Sequence, residues 1–293
     1  MNKKIVHFSN KVARKVYKVA DIWAKGYWHN FPFGDAPRAS KEKYLELWEE
    51  AKEQQYPDID AFEKSKGIAI DKDWLHDLAL HTQIVVKESK LCYQHGPVLY
   101  TALREYLSGV KAKWESDDTA FGARMITIIE TGTARGFSSV VMARALSDED
   151  VCGKIMTFDL LPHTKKMYWN CIDDLDGAKS RQELLLPWKE LVDPYLMFME
   201  NDSRVGMRRA AMGRVNFAFL DGAHTFDDVM IEFDLVQSRQ DAGDVIVFDD
   251  YNETLFPGVI KGVDEGAKKW GYDMEVLGSR DDRAYVIATK RGR

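Results

Sequence analysis

The sequence is poor in cysteine and contains no long apolar run. Its 293 residues include three cysteines, Cys92, Cys152 and Cys171. These are too few and too scattered for a disulfide framework or a cysteine-rich zinc site. No apolar run approaches the roughly 18 residues that a membrane-spanning helix needs. Both absences favour a cytoplasmic protein with free thiols.

An excess of basic residues is also missing. The chain carries 41 lysines and arginines against 47 aspartates and glutamates, which gives a net charge of −6. Proteins that bind nucleic acids generally present a basic surface. The charge balance therefore argues against a general nucleic-acid-binding protein.

The composition is that of a folded globular protein, with 45% hydrophobic and 30% charged residues. Helical patterns dominate up to residue 115, and short apolar runs alternate with helical segments beyond it. We therefore predict a helical region over residues 1–115 and an α/β domain over residues 116–293. Within the helical region, the patterns predict a helix from Ser40 as N-cap to a stop at Pro57, and two more over 71–88 and 96–113.

The start of the chain has a net positive charge, since the first 40 residues contain eight lysines and arginines against two aspartates. Apolar residues in the first 25 positions recur every three or four residues, with lysines between them, which predicts a basic amphipathic helix. Such a helix suits the anionic inner surface of a membrane, as a peripheral contact. It equally suits docking on its own domain or on a second subunit of a homo-oligomer.

Seven short apolar runs after residue 124 are candidate strands. They are Met125–Ile129, Ile155–Phe158, Tyr195–Met199, Val215–Leu220, Val245–Phe248, Met274–Leu277 and Tyr285–Ala288. Helical patterns separate the first five, which predicts βαβ units and a parallel sheet with helices on both faces. The connection 278–283 is too short for a crossover helix, so the last two strands are predicted to form an antiparallel hairpin.

A glycine-containing loop follows the first predicted strand, in the segment Glu130-Thr-Gly132-Thr133-Ala-Arg-Gly136. The two glycines allow a tight turn and close approach to a ligand. The loop lacks the third glycine of the dinucleotide fingerprint and the Gly-Lys-Ser/Thr of a phosphate-binding loop. A strand-end glutamate with these glycines suits a cationic ligand without phosphate, although a simple tight turn would also explain the loop.

Acidic residues stand at the ends of four further predicted strands. Asp159 ends the second strand, where a carboxylate can accept hydrogen bonds from ribose hydroxyls. Asp221 and His224 follow the fourth strand, and Asp249-Asp250 end the fifth. Carboxylates gathered at one sheet edge predict a hard divalent cation, and a neighbouring imidazole is suited to act as a general base. Asp202 and Ser203, after the third strand, suit either a helix cap or a ligand contact.

Together these segments resemble the class I S-adenosylmethionine-dependent methyltransferases, a family with a Rossmann-like fold. More narrowly, they resemble the metal-dependent O-methyltransferases, a group that includes the macrocin-type sugar O-methyltransferases and, more distantly, the catechol type. The resemblance rests on the glycine loop, Asp159, the segment Leu220-Asp-Gly-Ala-His224 and the segment Val247-Phe-Asp-Asp-Tyr251 with the residues that follow it. The resemblance covers roughly residues 95–290. One departure is the segment Asp241-Ala-Gly-Asp244, which stands where the family usually has a Pro-Gly-Gly turn.

The resemblance implies a role for each matching residue. S-adenosylmethionine (SAM) would be bound by Glu130, Gly132, Thr133, Gly136, Asp159, Asp202, Ser203 and Asp221. Mg²⁺ or another divalent cation would be bound by Asp221, Asp249 and Asp250. His224, with Asp221, would remove a proton from the acceptor hydroxyl. Tyr93, His95, Tyr251 and Asn252 are candidate substrate contacts, although ordinary packing would explain each of them.

The resulting hypothesis is a Mg²⁺-dependent O-methyltransferase of a sugar, glycan or glycosylated natural product. One alternative is methylation of a catechol-like or other small hydroxylated molecule. A second alternative, from another enzyme class, is a nicotinamide-dependent oxidoreductase. The missing third glycine and the predicted terminal hairpin argue against it. A third alternative is a module that binds a ligand without catalysis. The clustered aspartates and His224 argue against it, because charges gathered in one place are costly unless they have a use.

Overall fold

The computed structural model of the chain describes residues 33–117, 124–279 and 283–292. These residues form seven strands: β1 (Ile126–Thr131), β2 (Gly153–Asp159), β3 (Leu196–Glu200), β4 (Phe217–Leu220), β5 (Val245–Tyr251), β6 (Tyr272–Gly278) and β7 (Ala284–Lys290). They also form ten α-helices: α1 (Lys41–Lys52), α2 (Pro57–Lys66), α3 (Lys72–Thr82), α4 (His95–Ser116), α5 (Phe137–Asp148), α6 (Arg181–Leu184), α7 (Lys189–Tyr195), α8 (Ser203–Arg209), α9 (Phe226–Gln237) and α10 (Pro257–Trp270).

The strands form one sheet in the order β3-β2-β1-β4-β5-β7-β6. The neighbours among the first five strands pair in parallel, β7 pairs antiparallel with β5, and β6 and β7 form an antiparallel hairpin. The predicted Rossmann-like sheet is therefore confirmed. Because the strand order reverses between β1 and β4, a crevice opens at the carboxyl ends of these strands.

The sheet separates two apolar layers. Every residue of β1 is buried, and successive side chains alternate between the layers: Ile128 packs with α4 and α5, and Ile129 packs with α9 and α10. This is why apolar and polar residues do not strictly alternate along the strand. The α1–α3 helices share a core with the first layer, so the described part of the N-terminal region packs directly against the sheet domain.

The N-terminal helices follow their sequence signals with two differences. Ser40 caps α1, since its hydroxyl accepts a hydrogen bond from the Lys43 N–H. Pro57 begins a second helix instead of merely ending the first, because a proline at the first helical position loses no hydrogen bond. The helix predicted over 71–88 ends at Thr82, where the Ile84 N–H returns to the Ala79 carbonyl and Ile84 enters the core.

Two further elements differ from prediction. The α10 helix between β5 and β6 was not predicted and also begins with a proline, Pro257. The helical pattern expected between the second and third strands is broken into α6, a 3-10 turn over Leu186–Trp188 and α7. The predicted basic helix over residues 1–25 lies outside the described residues. None of the described helices combines the length and apolar character needed to cross a bilayer.

Candidate cofactor and metal site

A cleft of about 560 Å³ opens at the carboxyl ends of β1 to β5. This volume is within the usual range for small-molecule sites. The residues lining it include Gly132, Ala134, Asp159, Asp202, Ser203, Asp221, His224 and Asp250. The sheet thus brings seven of the fifteen sequence-predicted site residues to one cavity.

Gly132 is required by a close approach between two strand ends. Its φ is +88°, and a Cβ at this position would lie 2.1 Å from the carbonyl oxygen of Asp221. Gly136, with φ of +92°, is the N-cap of α5. Thr133 is buried and its hydroxyl is hydrogen-bonded to that of Thr157, so this side chain supports the loop from beneath.

Glu130 lies beneath the loop and does not line the cleft. Its side chain is fully buried, and its two carboxylate oxygens accept hydrogen bonds from the hydroxyls of Ser138 and Ser139 at the start of α5. Burial raises the pKa of Glu130 above its ordinary value. In this structure the carboxylate joins β1 to α5, which fixes the position of the glycine loop.

Asp159 lines the cleft and is already an acceptor for three donors. Its Oδ2 accepts from the Ala134 N–H at 2.6 Å and from the Arg181 guanidinium at 3.1 Å, and its Oδ1 accepts from the Leu161 N–H at 2.8 Å. Burial raises the pKa of Asp159, and the Arg181 charge opposes that rise. Arg181 was not identified from the sequence.

Asp202 and Ser203 lie on the far side of the cleft. Asp202 caps α8 and pairs with Arg204, which lowers the pKa of its carboxyl. The Ser203 hydroxyl donates to Oε1 of Glu232, a buried carboxyl on α9 whose other oxygen accepts from Thr131. Burial raises the pKa of Glu232 to about 7. No sequence signal distinguished Glu232 from other helical glutamates.

Asp221, His224 and Asp250 form an acidic cluster in which ligand atoms lie within 4.8 Å of one another. Nε2 of His224 lies 2.9 Å from Oδ2 of Asp250 and 3.6 Å from Oδ1 of Asp221. Hydrogen bonds with Asp221 and Asp250 raise the pKa of His224 to about 10. Nε2 of His224 and Oδ1 of Asp250 are both buried, and each contacts a group of opposite charge: Nε2 contacts the two carboxylates, and Oδ1 contacts the Arg283 guanidinium.

Asp249 lies outside this cluster although it is adjacent in sequence. Its side chain is 7% exposed, its Oδ2 lies 4.0 Å from Nδ1 of His95, and burial raises its pKa well above the ordinary value. Arg283, at the start of β7, lies 2.8 Å from Oδ1 of Asp250. Arg283 was not predicted as a site residue, and it brings a positive charge to the edge of the cluster.

The four candidate substrate contacts do not line the cleft. Burial lowers the pKa of His95 to about 3, and its ring packs against Phe137 and Phe219. Tyr93 is buried, with its hydroxyl 2.8 Å from Nδ1 of His76. The Tyr251 hydroxyl donates to Asp264, and the Asn252 side chain accepts from the Leu255 N–H.

Comparison with known proteins agrees with this geometry. Residues 129–251 match a family model described as a methyltransferase domain. The match supports the resemblance of this part of the chain to methyltransferases. The matched part begins in β1 and ends with β5, so it contains the strand ends that form the cleft. A search of curated proteins finds no significant match.

Three solved structures are similar to this chain. Cofactor-bound Rv0187 from MTB has a TM-score of 0.50 and 16% identity, with 82% of this chain and 100% of that chain covered. The O-methyltransferase TomG from Streptomyces achromogenes, in complex with SAM, has a TM-score of 0.47 and 15% identity, with 76% of this chain and 92% of that chain covered. The O-methyltransferase from Bacillus cereus, in complex with S-adenosylhomocysteine (SAH), has a TM-score of 0.43 and 14% identity, with 82% of this chain and 93% of that chain covered.

Proposed function

We propose that this protein is a methyltransferase that transfers the SAM methyl group to a hydroxyl of a sugar, a glycan or a glycosylated natural product, with the help of a divalent cation. The observation that carries the proposal is the position of the Asp221–His224–Asp250 cluster in the same cleft as the glycine loop and Asp159. A hydroxyl needs both alignment and removal of its proton before it can accept a methyl group. In the proposed site, the aspartates of the cluster would hold the cation that aligns the hydroxyl, and His224 would accept its proton.

The glycine loop and Asp159 form the cofactor half of the proposed site. The absence of side chains at Gly132 lets the loop lie against the Asp221 carbonyl. Asp159 lines the cleft, where its carboxylate is placed to accept from a ribose hydroxyl. When bound, SAM supplies a methyl group that is already activated by the sulfonium charge. The protein therefore has to orient the acceptor and accept its proton.

His224 is the proposed proton acceptor, with Asp221 and Asp250 orienting its ring. The proton would move from the acceptor oxygen to Nε2 of His224, the atom that faces both carboxylates. In the structure these two carboxylates favour the protonated imidazole and raise its pKa to about 10. A cation shared with the carboxylates would reduce this preference, which links the metal to the protonation of His224.

The carboxylates of the cluster support a hard divalent cation, which would replace the contacts of Asp250 with His224 and Arg283. Mg²⁺ is commonly bound through one or two carboxylates, with waters completing its coordination. Asp221 and Asp250 would hold the ion, and Asp249 is the third carboxylate at the same strand ends. When bound, a divalent cation lowers the pKa of a coordinated hydroxyl and fixes two neighbouring oxygens. An acceptor with vicinal oxygens, such as a saccharide, suits this arrangement, and a catechol is the alternative acceptor.

Cellular location and assembly are also proposals. We expect a cytoplasmic enzyme that forms a homo-oligomer and contacts the inner membrane surface through residues 1–25. Vesicle co-sedimentation tests the membrane contact by comparing the full chain with a form beginning at Ala39. Equal binding of both forms to anionic vesicles would contradict it.

Transfer of radioactive methyl from SAM tests the proposed activity. The purified protein is incubated with a panel of saccharides and catechols, with Mg²⁺ or with EDTA. We expect labelled saccharide that depends on Mg²⁺. Labelled catechols alone would establish the alternative acceptor, and equal labelling in EDTA would refute the metal requirement.

A further inference from the structure

Arg283 and Asp250 form an ion pair between the neighbouring strands β5 and β7. Nη2 of Arg283 lies 2.8 Å from Oδ1 of Asp250. Tyr251 and Ala284, the residues that follow them in sequence, are register partners in the antiparallel ladder. The sheet therefore places the two backbones side by side, and the guanidinium can leave Asp250 without a change in strand pairing.

The two side chains differ in how far they are exposed to solvent. The side chain of Arg283 is 27% exposed, whereas that of Asp250 is 9% exposed. An arginine has a long, flexible stem, and a partly exposed guanidinium can turn further into water. The Asp250 carboxylate is held in the cleft at the end of β5. Arg283 is therefore the partner that can move.

Asp250 has a positively charged or polar hydrogen-bonding neighbour at each carboxylate oxygen. Its Oδ2 lies 2.9 Å from Nε2 of His224, and its Oδ1 lies 2.8 Å from Arg283. Arginine is not deprotonated in proteins, so Arg283 cannot make room for a cation by losing a proton. Whether the guanidinium stays beside Oδ1 or moves away, its pairing with Asp250 opposes the binding of a second positive charge there.

We propose that Arg283 regulates the cation site by competing with the divalent cation for Asp250. In this role Arg283 keeps Asp250 paired and oriented, and it lowers the affinity for the cation by the strength of that pair. This inference rests on the proposed use of a divalent cation at Asp221 and Asp250. It assigns a function to a residue that comes from the hairpin strand β7, outside the segment matched by the methyltransferase model.

The proposal predicts opposite effects at the two ends of the ion pair. Binding of Mn²⁺, a hard divalent cation that can stand in for Mg²⁺, is measured with the full chain by electron paramagnetic resonance of the free ion. In Arg283→Gln, the dissociation constant for Mn²⁺ falls about tenfold, because a charge-assisted contact no longer competes. In Asp250→Asn, it rises at least about tenfold. An ion pair with only a structural role would weaken Mn²⁺ binding when either partner is removed.

Two control variants separate this competition from other effects. Lys87 is a second cation whose charge acts on Asp250, but no ion pair joins the two in the described part of the chain. Lys87→Gln should therefore change the dissociation constant for Mn²⁺ less than about threefold. Arg144 pairs with Asp148 on the surface of α5, away from the cleft. Arg144→Gln should leave Mn²⁺ binding unchanged.

Arg283→Met, which keeps an unbranched side chain without charge, carries the same comparison if Arg283→Gln does not fold by circular dichroism. Unchanged or weaker Mn²⁺ binding in a folded Arg283 variant would overturn the proposal. An equal gain in Lys87→Gln would also overturn it, since the effect would then be one of general charge. If the wild type and the Arg283 variants all fail to bind Mn²⁺, the divalent cation of the proposed function fails instead.

Discussion

Nε2 of His224 lies 2.9 Å from Oδ2 of Asp250, and the other oxygen of this carboxylate lies 2.8 Å from Arg283. The imidazole comes from the loop after β4 and the carboxylate from the end of β5, so their contact depends on the parallel pairing of these strands. Asp250 has a φ of +55°, which turns the chain at the end of β5. The contact places a titratable base beside two carboxylates at the cleft.

Replacement of His224 tests its proposed role as proton acceptor. His224→Gln removes a titratable group but retains a polar side chain of similar length. We expect kcat to fall about 10²- to 10⁴-fold, the usual contribution of general base catalysis, with an unchanged dissociation constant for SAH. Steady-state kinetics and calorimetry provide the two quantities. His81→Gln is the control, because His81 pairs with Asp173 outside the cleft and should retain full turnover. Near-normal kcat in His224→Gln would remove this residue from the base role.

Paired substitutions at the end of β5 separate the two adjacent aspartates. Asp250→Asn removes one carboxylate of the cluster, while asparagine tolerates the left-handed backbone at this position. We expect the Mg²⁺ concentration for half-maximal activity to rise at least about tenfold, as expected for loss of a charged ligand. Asp249→Asn should raise this Mg²⁺ concentration less, since Asp249 lies outside the cluster and burial raises the pKa of the Asp249 carboxyl. An equal or larger effect of Asp249→Asn would make Asp249 a principal ligand.

The close approach at Gly132 gives a prediction about stability. Gly132→Ala places a Cβ 2.1 Å from the Asp221 carbonyl at a φ of +88°. We expect a loss of about 2–4 kcal/mol in the free energy of unfolding, from backbone strain and overpacking together. Gly67→Ala is the matched control, because Gly67 also has a positive φ but no atom within 4 Å of the added Cβ. It should lose only about 1 kcal/mol. Urea unfolding measures both values, and equal losses would mean that the contact with Asp221 is unimportant.

Glu232 predicts a pH dependence of stability. Burial raises its pKa from 4.5 to about 7 in the folded protein. Between these values the folded state retains a proton that the unfolded state releases, so the free energy of unfolding falls as pH rises through this window. The slope is at most about 1.4 kcal/mol per pH unit for one group. Glu232→Gln lacks this group and should be stabilised relative to the wild type as pH rises from 5 to 8. Parallel stability curves for the two proteins in urea unfolding would contradict the raised pKa.

The sequence predicted the sheet well because strand burial leaves a local pattern. All seven strands appear within a few residues of their expected positions. Those at the centre of the sheet, β1, β4 and β5, are covered on both faces and are therefore short, mainly apolar runs. Helices that begin with proline were harder to recognise. Pro57 was interpreted as a stop and the helix after Pro257 was not predicted, although proline fits the first turn of each.

The candidate site was predictable where its residues follow strands. Asp159, Asp221, His224 and Asp250 were identified because ligands bind at the carboxyl ends of parallel strands, and all four line the cleft. Glu232, Arg181 and Arg283 were missed because they come from a helix face, a long connection and the start of the hairpin strand β7. Their positions depend on tertiary packing, for which a single sequence provides no periodic signal.

The most direct test of the account is whether the cleft binds the methyl donor. Isothermal titration calorimetry of the purified protein with SAM and SAH, and with NAD for comparison, measures this in Mg²⁺ and in EDTA. We predict micromolar binding of SAM and SAH, no binding of NAD, and loss of SAM binding in Gly132→Ala at a temperature where that variant is folded. Binding of NAD in place of SAM, or no binding of either, would contradict the proposed role of the cleft.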